Sequence, residues 1–121
     1  MKTKPPYQGS WYDRFGPLVV KNRIISIPAA LLRFKKDLGL NNQHMVLWIA
    51  ISSRYRGTEA PILQIEWLAD AIDRTPDYTR KLLTDLKDKG LLHMDSLSGY
   101  RSRFDLSPTN HVLDDLLTRG I

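Results

Sequence analysis

No cysteine occurs in the 121 residues, so disulfides and cysteine-based zinc or iron–sulfur centres are excluded. No apolar run approaches the roughly 18 residues of a membrane-spanning helix. The start, MKTKPPYQGS, lacks the apolar stretch of a secretory signal. Neither membrane insertion nor secretion is expected, and a cytoplasmic location fits. Glycine-rich phosphate loops are also missing: Gly57, Gly90 and Gly99 stand alone. His44, His93 and His111 lie too far apart for metal-ligand spacing. Asp114 and Asp115 are neighbours on a helical stretch, so their carboxylates diverge by about 100°. No serine has an evident base beside it. These absences leave no catalytic constellation, metal site or cofactor to expect, and the chain reads as a binding protein rather than an enzyme.

Acidic residues are scarce in one part of the chain only. Residues 1–36 hold eight Lys/Arg and one acid, whereas residues 37–121 hold ten Lys/Arg and twelve acids. The net charge of +5 and the pI of about 9.6 therefore come from the N-terminal third. A basic arm beside a small domain is a common electrostatic footprint for nucleic acid. A merely soluble basic protein is the plainer alternative.

Residues 1–23 form the basic arm in this reading. They combine Pro5–Pro6, Gly9, Gly16 and four aromatics without periodicity, with Trp11, Tyr12 or Phe15 available to pin it. LVVKNRIISI (18–27) is β-branched and suits a short strand. Pro28 suits the first position of a helix that Gly39 stops, with Leu31, Phe34 and Leu38 on one face. A second helix over 42–55 is apolar on every side from Met45 to Ile51, as expected of a central core element. ILQI (62–65) is β-prone. EWLADAI (66–72) sets Trp67, Leu68, Ala71 and Ile72 at helical spacing, which places Trp67, like Trp48, in the core.

After the short connection DRT, Thr75 is the N-cap, Pro76 the first helical residue and Asp77 a first-turn acid. This helix runs to Lys89 and stops at Gly90. Thr79, Leu82, Leu83 and Leu86 share one face. Asp77, Arg80, Lys81, Thr84 and Asp88 occupy the other, flanked by Tyr78, Asp85 and Lys87. LLHMD (91–95) and SRFDL (102–106) read as two strands joined by a glycine-containing loop. The C-terminal segment 109–121 is an amphipathic helix whose stripe, Val112, Leu113, Leu116 and Leu117, either completes the core or forms a dimer seam. Ser107–Pro108 precede it as entry signals.

The expected fold class is mainly α with a small β-hairpin wing. WLADAIDRTPDYTRKLLTDLKDKGLL resembles the winged helix-turn-helix domain of many bacterial, phage and plasmid regulators and replication proteins. Leu68–Ala69, Thr75, Leu83, Leu86 and Gly90–Leu91 match that pattern, and GYRSRFDLSP resembles its wing and returning strand. The resemblance covers about residues 24–108, which gives a winged helix-turn-helix domain between the arm and the C-terminal helix. It departs at Thr79, where an aliphatic residue is more common, and at Pro76–Asp77, where basic residues often stand. It implies double-stranded DNA as the partner.

Independent physical reasoning assigns roles on that premise. The N-terminal half of helix 76–89 would enter the major groove. Arg80 and Lys81 would donate to guanine, Asp77 would accept from cytosine N4, and Tyr78 and Thr84 would meet phosphate or a thymine methyl. Lys2, Lys4, Arg14, Lys21, Arg23, Thr75, Lys87, Arg101 and Arg103 would hold the backbone or minor groove. The alternative for the helix surface is a set of i,i+4 pairs, Asp77–Lys81 and Asp85–Lys89, that only stabilise a solvated face. Three functions stay open: a transcriptional regulator, an origin-binding replication module of a phage or plasmid, and a winged helix that docks a protein partner. A homodimer accords with two-fold DNA sites.

Overall fold

A computed structural model of the chain describes Arg14, Gly16 and residues 27–120. The arm residues Lys2, Lys4, Lys21 and Arg23, the aromatics Trp11, Tyr12 and Phe15, and the strand expected before Ile27 lie outside the described residues.

Pro28 is the N-cap of α1 (Ala29–Arg33) rather than its first residue. Regular helix ends at Arg33, earlier than the periodicity predicts. Helical turns continue and close on Gly39, where Gly39 N donates to Lys36 O and Leu40 N to Lys35 O. These bonds form a Schellman cap, and Gly39 takes the left-handed backbone the cap requires (φ +72°). Leu31 and Phe34 are buried, Leu38 half-buried.

α2 (Asn42–Ser52) begins with a reciprocal capping box. The Asn41 side chain accepts from His44 N, and His44 Nδ1 accepts from Asn41 N, both at 3.0 Å. Met45, Leu47, Trp48 and Ile51 are buried, whereas Val46 is 44% exposed. The helix is thus central without being enclosed on every side.

β1 (Ile62–Gln64) leads directly into α3 (Ile65–Ala71). Here the expected core stripe is corrected. Leu68, Ala69 and Ile72 are buried, but Ala71 is exposed and Trp67 is 37% exposed. A seven-residue helix offers little more than one inward line, and Leu68 and Ile72 take it. Trp67 sits beside that line, and the Arg54 guanidinium covers its ring at 4.9 Å from the centroid.

α4 (Pro76–Asp88) follows. The wing is β2 (His93–Ser96) and β3 (Arg101–Asp105), and α5 (Ser107–Thr118) completes the described elements. The sheet is antiparallel in the order β1-β3-β2. β3 sends Ser102 and Phe104 inward and Arg101 and Arg103 outward, as its alternation predicts.

All these elements share one core, from Leu31 and Phe34 through Trp48, Leu68, Leu83, Leu86 and Phe104 to Leu113. α5 joins it through Leu113, with Val112 and Leu116 half-buried against the cluster, while Leu117 is 47% exposed. A buried polar chain reinforces this docking. Trp48 Nε1 donates to Thr109 Oγ1 at 3.1 Å, and Thr109 Oγ1 donates to Leu91 O at 2.6 Å. The arrangement of three helices, a short strand and a following hairpin is that of a winged helix-turn-helix.

Candidate nucleic-acid interface

The helix-turn-helix is α3 and α4. α3 ends in a Schellman cap, with Asp73 N donating to Asp70 O and Arg74 N to Ala69 O. Asp73 holds the left-handed position usually given to glycine (φ +55°), a conformation aspartate tolerates better than most residues. Thr75 then caps α4: its side chain accepts from Tyr78 N at 3.2 Å. Pro76 follows at the first turn, where its missing N–H removes no bond. At the far end Gly90 (φ +73°) closes a third Schellman cap, with Leu91 N on Leu86 O. Leu86 and Leu91 are both fully buried, the apolar contact that accompanies this cap.

These local rules turn α4 so that Thr79, Leu82, Leu83 and Leu86 enter the core. Asp77, Arg80, Lys81, Thr84, Lys87 and Asp88 are all exposed, and Tyr78 is half-buried against the core. The structure therefore brings Arg80, Lys81, Thr84 and Lys87 onto one outward surface. Thr84 is partly committed, since its hydroxyl donates to Arg80 O at 3.0 Å.

The acidic pairs expected on this helix are not formed. Asp77 accepts from Arg80 Nη1 at 2.8 Å instead of meeting Lys81. Both groups are exposed, and one donor of a guanidinium is occupied while its others stay available. Asp85 pairs with His44 rather than Lys89, with Nε2 to Oδ2 at 3.1 Å. Because His44 Nδ1 accepts from Asn41 N, a neutral ring carries its proton on Nε2, directed at Asp85. The bond ties α2 to the third turn of α4. Sequence periodicity offers no sign of it, because 41 residues separate the partners.

Between α4 and the wing runs a cleft of about 610 Å³, lined by Ile65, Glu66, Arg80, Ser96, Tyr100, Arg101 and Ser102 among others. A second cleft, of about 280 Å³, adds Thr84, Lys87 and Met94. Arg80 lines both, and Arg101 faces it from the wing. Arg101 Nε donates to Ser98 O at 3.3 Å, which draws its side chain over the turn. Arg103 is not part of this cleft. It lies on the same outward face of β3 as Arg101, one pleat repeat further along, in register with Ile62 on β1 and Asp95 on β2. The two wing arginines share a face of β3, but Arg101 alone lines the cleft toward Arg80.

Tyr100, at the tip of the wing, is 92% exposed. Its backbone is left-handed (φ +60°), directly after Gly99 at φ +73°. Such a conformation costs a non-glycine residue roughly 1–2 kcal/mol. Arg14, the described member of the basic arm's lysine and arginine set, is exposed. Among the described residues no helix is long and apolar enough to cross a membrane.

No protein-family profile and no curated protein matches this chain. Among solved structures it is similar to the N-terminal domain of DnaD protein from Geobacillus kaustophilus HTA426, with a TM-score of 0.66 and 21% identity over 85% of this chain and 87% of that one. A lesser similarity links it to MepR, a transcription regulator of the Staphylococcus aureus multidrug efflux pump MepA. There the TM-score is 0.46 and the identity 18%, over 74% of this chain and 69% of that one. What the chain shares with the DnaD domain is the fold.

Proposed function

We propose that this chain is a sequence-specific double-stranded DNA-binding protein, acting as a transcriptional regulator. One observation carries the proposal. α4 presents Arg80, Lys81, Thr84 and Lys87 to solvent on a surface continuous with the clefts that separate it from the wing. In the major groove, Arg80 and Lys81 donate to base edges, with Asp77 holding Arg80 in place. Thr75, Lys87 and Arg101 meet phosphate on either side. Arg103, on the same outward face but outside the cleft, is a weaker contact in this arrangement. The basic residues of the arm add attraction that is independent of sequence. A homodimer would match a two-fold operator.

The same geometry serves an origin-binding module of a phage or plasmid, and the position of the gene beside an origin or beside its own operator separates the two. A protein-docking role has one observation in its favour: the Asp77–Arg80 pair neutralises charge where a groove-binding helix usually keeps it. Selection from a random duplex pool at two salt concentrations decides between DNA and protein. Enrichment of one sequence, with binding that weakens steeply as salt rises, is the expected result. Absence of duplex binding even at low salt eliminates both DNA readings.

A further inference from the structure

The wing tip contains a residue that its backbone does not favour and its core does not use. Leu97 N donates to Arg101 O at 2.8 Å, which leaves Ser98, Gly99 and Tyr100 as a three-residue hairpin loop. The last position of such a loop is normally left-handed and normally glycine. Tyr100 occupies it at φ +60° with 92% of its surface exposed. Glycine or asparagine would fill the position with less strain, and the exposed ring adds nothing to the core.

Its surroundings define what the ring is presented to. Ser98 and Gly99 are small, so no neighbour in the loop shields it. Arg101, bonded to Ser98 O, supplies a cation beside it. The cleft toward Arg80 on α4 opens on the same side. An aromatic wedge next to an arginine, at the end of a hairpin that flanks a major-groove helix, suits a flexible base step in the adjacent minor groove.

We infer that Tyr100 is a wedge that inserts its ring at a deformable base step beside the α4 contact, so that the protein reads DNA flexibility as well as base edges. The inference rests on the DNA-binding reading above. Pyrimidine–purine steps such as TA unstack readily, whereas A-tracts resist, and the preference follows from that difference. The ring acts, not the hydroxyl.

The test uses the full chain at low salt with duplexes that carry 2-aminopurine next to a TA step or within an A-tract. Wild type and Tyr100→Phe are expected to raise the fluorescence of the TA duplex by unstacking the probe, and to bind it more tightly than the A-tract. Tyr100→Asn keeps a residue that accepts the left-handed backbone. It is expected to melt no lower than wild type, to bind the TA duplex about ten-fold more weakly and to leave the probe stacked. Wild-type affinity and fluorescence in Tyr100→Asn overturn the wedge while leaving DNA binding intact. A Tyr100→Phe protein that behaves as Tyr100→Asn overturns it by assigning the effect to the hydroxyl. Wild type that binds neither duplex overturns the DNA-binding reading and the wedge together.

Discussion

His44 Nε2 lies 3.1 Å from Asp85 Oδ2, and this bond sets α4 against the central helix α2. It gives a structural role to one of the three aspartates on α4. Asp85 works on the inner flank of α4, Asp77 is bonded to Arg80, and Asp88 is exposed in the last turn. His44 has a double task, since its other nitrogen closes the capping box of α2. His44→Ala is expected to lose about 2 kcal/mol of stability in urea denaturation, from the lost cap and the bond to a charged group. Asp85→Asn, which keeps an acceptor for Nε2, should lose no more than about half of that. Equal losses would show that the charge on Asp85, which asparagine lacks, carries the whole effect and the capping box none of it.

Thr109 joins Trp48 to Leu91 O through one hydroxyl that both accepts and donates. Thr109→Val keeps the shape and leaves a buried N–H and a buried carbonyl without partners. A loss of about 2–4 kcal/mol is expected, because each orphaned group costs about 1–3 kcal/mol. Thr109→Ser should retain most of the stability, losing mainly the buried methyl. Thermal or urea unfolding of the two variants checks the contrast.

At the start of α5, Asp105 and Tyr55 form a small titrating pair. The Ser107 backbone N–H, at 2.9 Å, is the main cause holding the Asp105 carboxyl below its usual range, with Tyr55 and His93 helping against burial. Burial is the main cause that pushes the Tyr55 hydroxyl above its usual range, although it accepts from Leu106 N at 2.7 Å. The signs differ. Asp105 contributes stability that is present above the ordinary aspartate pKa and lost as pH falls from about 4 downward. Tyr55 contributes stability that is present below the ordinary tyrosine pKa and lost as pH rises past about 10. Asp105→Asn should flatten the acid side of the stability profile and Tyr55→Phe the alkaline side. Urea midpoints across pH would reveal a mistake if either variant kept the wild-type slope.

On DNA, variants of the same helix should behave differently. Arg80→Ala is expected to relax base preference by about 1–3 kcal/mol at one position. Lys87→Ala and Lys4→Ala should weaken all sequences alike and lower the slope of log affinity against log salt by about 1 each. Asp77→Asn separates two roles: a shifted preference at a cytosine marks a base contact, whereas unchanged preference with lower stability marks a helix-end effect. Identical behaviour of Arg80→Ala and Lys87→Ala would refute the division between reader and anchor.

The sequence by itself determined what short-range stereochemistry controls. Thr75–Pro76 starts α4 and Gly90 stops it, because a cap needs one side-chain acceptor and a Schellman turn needs one left-handed residue. The same reasoning places Gly39 at the end of the first helical stretch and puts Phe104 inward on β3. Only the tertiary structure decided which partners meet across the chain. Trp67 looks like core on a helical wheel, yet Leu68 and Ile72 take the inward line and Arg54 covers its ring. Asp85 has a lysine four residues away and bonds instead to a histidine 41 residues earlier. Arg101 and Arg103 share the outward face of β3, yet Arg101 lines the cleft beside Arg80 while Arg103 stands in register between Ile62 and Asp95. In each case several partners satisfy the local rules about equally. The choice among them depends on which side chains the folded core leaves within hydrogen-bonding reach.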